Sequence, residues 1–283
     1  MKKVLSTITS AICMVAVVVF ASCQKEENHS QDKDRGDLLE ITSFETSSFT
    51  ISLFNELGKL QTGYNPLSIQ IRNENNEVVI PDDFWLRPFM QMGHHGHGAP
   101  FSTFSAQDGS SNYHAGFVVF QMPSHGDDGS WELEMGFTYQ GVDYELTGGV
   151  EVLETDDRLV VSFQDDNQRS YVLALKEPTR AKVGLQDVSA LLFRQDESGA
   201  FIPVDHYLID HDPRMPTMDN HGSPNNQPMA FDEQGLYKGQ LSLTMTGLWR
   251  LNLKVFDENN KLIKGNTVDE ENPKSSIYFE ISF

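Results

Sequence analysis

The sequence predicts an all-β protein of two tandem β-sandwich domains behind an N-terminal export segment. Three observations carry this. Apolar residues alternate with period two along nearly every hydrophobic run. Turn-forming clusters separate those runs. A set of short motifs occurs twice in the same order, which marks one structural unit used twice.

The export segment comes first. Lys2 and Lys3 precede a mostly apolar stretch from Val4 to Phe20, which exits through the small residues Ala21 and Ser22 into Cys23. A short apolar run with a basic start and a small-residue exit reads as a signal peptide, residues 1–22, and not as a spanning helix. Phe20-Ala21-Ser22-Cys23 resembles a bacterial lipobox, which implies that Cys23 is the lipid-modified mature N-terminus. Gln24-Lys25-Glu26-Glu27 resembles the export signal that takes Bacteroidota lipoproteins to the outer face of the outer membrane. These resemblances imply an outer-membrane lipid anchor displayed at the cell surface, with a periplasm-facing anchor as the other orientation. Residues 23–36 are polar and charged and read as a flexible tether.

The two units then span residues 37–156 and 157–283. In the first, Phe117, Val119 and Gln121 oppose Val118, Phe120 and Met122, and Trp131, Leu133, Met135 and Phe137 oppose Glu132 and Glu134. In the second, Leu241, Leu243 and Met245 oppose Gln240, Ser242 and Thr244, and Trp249, Leu251, Leu253 and Val255 oppose Arg250, Asn252 and Lys254. These patterns describe half-buried antiparallel strands. Asn73-Glu74-Asn75-Asn76, Asp127-Asp128-Gly129 and Glu258-Asn259-Asn260 are the turns, and no amphipathic helix follows the export segment. The units match motif by motif. Phe49, Ile51 and Leu53 correspond to Tyr171, Leu173 and Leu175. Gly63 with Leu67, Ile69 and Ile71 corresponds to Gly184 with Val188, Ala190 and Leu192. His97-Gly98-Ala99-Pro100 recurs as His221-Gly222-Ser223-Pro224, Tyr113 as Tyr237, and Gly129-Ser130-Trp131 as Gly247-Leu248-Trp249.

This order of landmarks is similar to the YtkA-like domain, related to FixH-type domains. Its second copy matches best, through Met215-Pro216-Thr217-Met218, His221-Gly222, Gly235-Leu236-Tyr237 and Gly247-Leu248-Trp249. The first copy departs from it, with Phe89-Met90-Gln91-Met92 and Ser111-Asn112-Tyr113. The resemblance implies an immunoglobulin-like or cupredoxin-like sandwich in an extracytoplasmic setting often associated with copper handling.

Composition narrows the function. The formal charge of −20 opposes binding to phosphate backbones, so no nucleic-acid partner is expected. Cys13 and Cys23 are the two cysteines, and neither leaves a thiol in the mature domains, which excludes disulfides, Cys-ligated zinc and iron–sulfur clusters. There is no Gly-x-Ser-x-Gly elbow, no His-Glu-x2-His and no Gly-rich phosphate loop, so no enzymatic activity is expected. His206 and His211, beside Asp205, Asp210 and Asp212, read as a polar strand edge.

The remaining donors are sulfur and imidazole. Met122, Met135 and Met245 share strand faces with apolar neighbours and read as core. Met90, Met92, Met215 and Met218 fall beside Pro and Gly in segments that read as loops. Thioether with imidazole suits Cu(I), and imidazole suits Cu(II). The candidate copper ligands are Met90, Met92, His94, His95, His97 and His114, with His125 nearby, in the first unit. In the second they are Met215, Met218 and His221, with His211 or Met229 nearby. Capture, buffering or delivery of copper, with a metal-handling protein as partner, is the function this implies. The alternative is a structural or binding module in which the methionines plug the sandwich ends and the loops meet a protein or glycan. Exposure of Trp85, Phe89 and Phe101 would favour that alternative.

Overall fold

A computed structural model describes residues 37–93, 95–106, 112–126 and 129–283. These residues build strands and turns, with no α-helix among them. The signal peptide, Cys23, the tether and His94 lie outside the described residues.

The first sandwich packs two layers. One layer runs in the order β1 (Leu39–Glu45), β2 (Phe49–Asn55), β4 (Gly63–Asn73), β9 (His114–Phe120), β8 (Ser105–Ala106), with β5 (Val78–Val79) also paired to β4. The other runs β11 (Val142–Val150), β10 (Ser130–Tyr139), β6 (Asp83–Met92), β7 (His95–Gly98). A short parallel pair, β3 (Leu60–Gln61) with β12 (Val152–Leu153), closes one end. Inward residues of both layers form one core, including Ile51, Leu53, Ile69, Leu86, Val118, Phe120, Trp131, Leu133 and Met135. The alternation in the sequence is therefore the alternation between this core and the outside.

The second sandwich follows a similar order, without a counterpart of the β3–β12 pair and with two strands, β22 and β23, paired to β21: β13 (Val160–Gln164), β14 (Ser170–Glu177), β15 (Gly184–Gln195), β16 (Phe201–Pro203), β17 (Leu208–Met215), β18 (His221–Gly222), β19 (Gln227–Phe231), β20 (Tyr237–Leu243), β21 (Leu248–Phe256), β22 (Leu262–Gly265) and β23 (Tyr278–Ser282). Here β19 pairs with both β20 and β17, so hydrogen bonding continues from one layer into the other. No ladder among the described residues joins β1–β12 to β13–β23. The matched glycines have a local reason. Gly63 and Gly184 open β4 and β15 with φ of +100° and +110°, a region that side chains with a Cβ rarely adopt. Both tryptophans are fully buried, and their indole N–H groups donate to matched carbonyls, Trp131 to Met122 at 3.0 Å and Trp249 to Met245 at 2.9 Å.

Two strands depart from the half-buried expectation. Val119 is as buried as Val118, and Val172 and Ala174 are as buried as Leu173. The cause is a third apolar cluster in which Val119 and Phe117 of β9 meet Val172, Ala174, Leu191 and Phe193 of β14 and β15. The outer face of one sandwich is thus covered by the outer face of the other, and the Phe117 and Phe193 rings lie 6.3 Å apart.

Candidate functional site

Of the methionines read as loop residues, Met90, Met92 and Met215 prove to lie at strand ends, while Met218 lies in a turn. Gly93, at φ +54°, lets the chain reverse directly after β6, so β7 folds back on it. The register sets Met90 opposite His97 and Met92 opposite His95. Directly opposed residues of an antiparallel pair share a face, with Cβ atoms about 4.5–5.5 Å apart. Met90, Met92, His95 and His97 therefore form a two-by-two grid of thioethers and imidazoles on one side of the hairpin. On its other side Met90 is opposed by Trp131 of β10, which makes a row Trp131–Met90–His97 across three strands.

The grid grades from buried to open. Met90 is fully buried, Met92 and His97 are half-buried and His95 is exposed. Gly129 supports the two sulfur side chains, because a Cβ there would lie 3.1 Å from the Met90 methyl and 3.6 Å from Met92 Cγ. The His97 ring meets Trp131 edge to face at 5.4 Å between centroids. His97 Nδ1 lies 2.8 Å from Gly98 O. A carbonyl oxygen can only accept, so Nδ1 carries the proton and Nε2 of the neutral ring keeps its lone pair. Nε2 is buried and has no hydrogen-bond partner among the described residues. An imidazole fixed through one nitrogen with the other left as a bare donor is the arrangement that metal-binding histidines use.

The other residues singled out in the first sandwich lie elsewhere or at the margin. His114 stands on β9 opposite Ile69, its ring 5.9 Å from Phe84 at the start of β6, away from the hairpin at the end of that strand. Burial lowers its pKa. His125 is exposed in the loop before Gly129, with its backbone N–H donating to Gly129 O.

The second hairpin repeats one opposed Met–His pair but not the grid. Met215 ends β17, is buried, and faces His221 of β18 across the ladder. Gly247 matches Gly129, since a Cβ there would lie 3.0 Å from the Met215 methyl. Met218 occupies the intervening turn, 48% exposed, with its N–H on Met215 O and its O accepting from His221 N–H. One thioether and one imidazole are opposed here where the first hairpin opposes two of each. Met229 is a core residue paired through Ile209. His211 is not a polar edge. It alternates in phase with Ile209 and Met215, is buried in the core, and neither ring nitrogen has a partner among the described residues. That parity was present in the sequence.

Among the described residues no three His, Asp or Glu side chains converge as a metal site would require. The donors that the hairpin face itself presents are two thioethers and two imidazoles, a set that suits a soft ion.

No protein-family model matches the chain, and no curated protein matches it. Solved structures that the chain matches include the Escherichia coli adhesin FdeC, at 11% identity and a TM-score of 0.24 over 79% of this chain and 73% of that one. A titin Z1Z2 tandem gives 13% identity and a TM-score of 0.19 over 71% and 88%. A DUF4785-family protein of Legionella pneumophila gives 11% identity and a TM-score of 0.25, over 77% of this chain and 54% of that one. At these TM-scores the likeness carries nothing about this chain's role, and the β-sandwich rests on its own strands.

Proposed function

We propose that this chain is a binding module and not a catalyst, held at the outer membrane by a lipid on Cys23, and that its ligand on the first hairpin is Cu(I). The observation that carries the metal reading is the buried lone pair of His97 Nε2, beside two thioethers and a second imidazole on the same hairpin face. A buried acceptor without a partner costs about 1–3 kcal/mol. A bond from Nε2 to a soft cation removes that cost. His97, Met90, Met92 and His95 would hold the ion, and His95 and Met92, at the open side, would admit it. Such a site suits capture, buffering or handing on of the ion, and a metal-handling protein would be its partner. Titration of the full chain with Cu(I) against a competing chelator is the test. Single substitutions Met92→Ala, His95→Ala and His97→Ala are expected to weaken binding by about tenfold or more each, while Met218→Ala and His221→Ala change it little. Wild-type affinity in the His97→Ala chain would refute the assignment.

A second reading is partner binding by the sandwich surface, and a separate observation favours it. Trp85 is 40% exposed on the outward face of β6, where Phe89 also lies half-exposed.

A further inference from the structure

The two sandwiches can be compared position by position, because Pro88 opposes Leu133 as Pro213 opposes Leu251. On the outward face of the second sandwich, Asp210 opposes Lys254 and forms an ion pair with it at 3.0 Å. Arg214 pairs with Asp212, and Arg250 pairs with Glu280. That face satisfies its own charges.

The matching face of the first sandwich does not. Trp85 stands where Asp210 stands, and Gly136 where Lys254 stands. The indole lies against Gly136 so closely that a Cβ there would fall 2.5 Å from Trp85 Cε2 and Nε1. Phe89 covers Gly96 in the same manner. Each ring has one face sealed by backbone. Around them, Arg87 pairs with Glu134, while Glu132, opposite Phe89, and Glu145, opposite Gly136, have no ion-pair partner among the described residues.

From this contrast we propose that the outward face of β6, β10 and β11 docks a basic protein segment, with an Arg or Lys side chain over the Trp85 ring and its neighbours on Glu132 and Glu145. An aromatic face attracts a cation through its quadrupole, and more so when carboxylates flank it. The acidity of the whole chain steers such a partner in and repels an anionic one. Tryptophan is also a residue type on which binding energy concentrates. The proposal rests on the partner-binding reading and is independent of the metal: a chain that binds Cu(I) and fails the test below keeps its copper site and loses this surface.

The test exploits a built-in reporter. Trp131 and Trp249 are fully buried, so a ligand-induced change in tryptophan emission reports Trp85. The full chain is titrated with a synthetic peptide of repeating Arg-Gly, and with uncharged dextran as the rival probe. The expected result is a saturable change with the peptide that weakens with added salt. By calorimetry, Trp85→Ala is expected to weaken binding about tenfold and Trp85→Phe less. Glu132→Gln and Glu145→Gln should each weaken it a few-fold, and Asp210→Asn on the second sandwich should leave it unchanged. No peptide binding overturns the proposal. So does equal affinity in the Trp85→Ala and Glu145→Gln chains, which would show diffuse attraction to an acidic surface. A response to dextran in place of the peptide also overturns it and assigns the face to a glycan.

Discussion

His211→Leu should stabilise the protein and remove part of its acid sensitivity. Sandwich one already holds the answer at the matching position: Leu86, two residues before Pro88, is buried where His211, two residues before Pro213, is buried. His211 faces Leu253 and brings two ring nitrogens into the core without a partner among the described residues. Burial is the dominant influence and pushes its pKa down from 6.5 to about 4, against the smaller opposing pull of Asp210 and Asp212. The sign follows from linkage. Below pH 6.5 the unfolded chain takes up a proton that the folded chain refuses, so stability present above pH 6.5 is lost as pH falls towards about 4. At 1.36 kcal/mol per unit, the loss at pH 5 is about 2 kcal/mol and the full loss about 3 kcal/mol.

The leucine variant has no proton to take up. At pH 7.5 it should be more stable than wild type by about 1–3 kcal/mol, the cost of an unsatisfied buried polar group. At pH 5 the gap should widen by about a further 2 kcal/mol. Urea unfolding of both proteins at several pH values measures this, with Trp249 fluorescence following the second sandwich. His114 shifts in the same direction, but it is present in both proteins and cancels in the difference. Parallel stability curves across pH 4–7.5 would refute the reasoning, because they would mean that His211 is not held neutral by burial.

Two further outcomes follow from packing. Val119→Asp puts a carboxylate without a partner into the cluster that joins the sandwiches; it should cost more than about 3 kcal/mol and split a single calorimetric transition into two. Gly265→Ala adds a Cβ at φ +103° that would run into Leu253 O, and a urea series should show a loss of at least about 1–3 kcal/mol.

Much of the architecture was legible in the residues because it depends on local alternation. Trp131 with Leu133 and Trp249 with Leu251 announce strands whose partners need only be antiparallel neighbours, and the paired glycines Gly63 and Gly184 announce a backbone turn that both copies share. The faces of Val119 and Val172 were not legible in this way. Period two says that successive residues point oppositely; it does not say that a second sandwich covers the outside. The strand-end places of Met90, Met92 and Met215 were hidden for a related reason. Pro and Gly beside Met90 and Met215 argue locally for loops, yet a tight reversal at Gly93 makes β6 and β7 partners, and only the register reveals that Met90 meets His97. His211 was misread because its acidic neighbours Asp210 and Asp212 outweighed its parity with Ile209 and Met215.

The duplication supplies a control that a single sandwich would lack. A buried Trp, a buried Met opposed by His and a glycine against that Met occur in both halves, so Trp131, Met90 and Gly129 are explained by closing the end of a sandwich, as Trp249, Met215 and Gly247 are. Scaffold accounts for the Trp, Met and Gly that the copies share, whereas the buried, unpartnered Nε2 of His97 has no counterpart at the exposed His221. Met92 opposite His95 has no opposed pair in the second hairpin, where the chain spends its extra residues on the turn through Met218. Trp85 on Gly136 replaces an ion pair of the second copy. These differences fall on the open side of one hairpin and the outward face of one sheet, both on β6, and neither is needed to close a core. Binding is therefore best sought along β6, with the second sandwich holding the first from behind through β14 and β15.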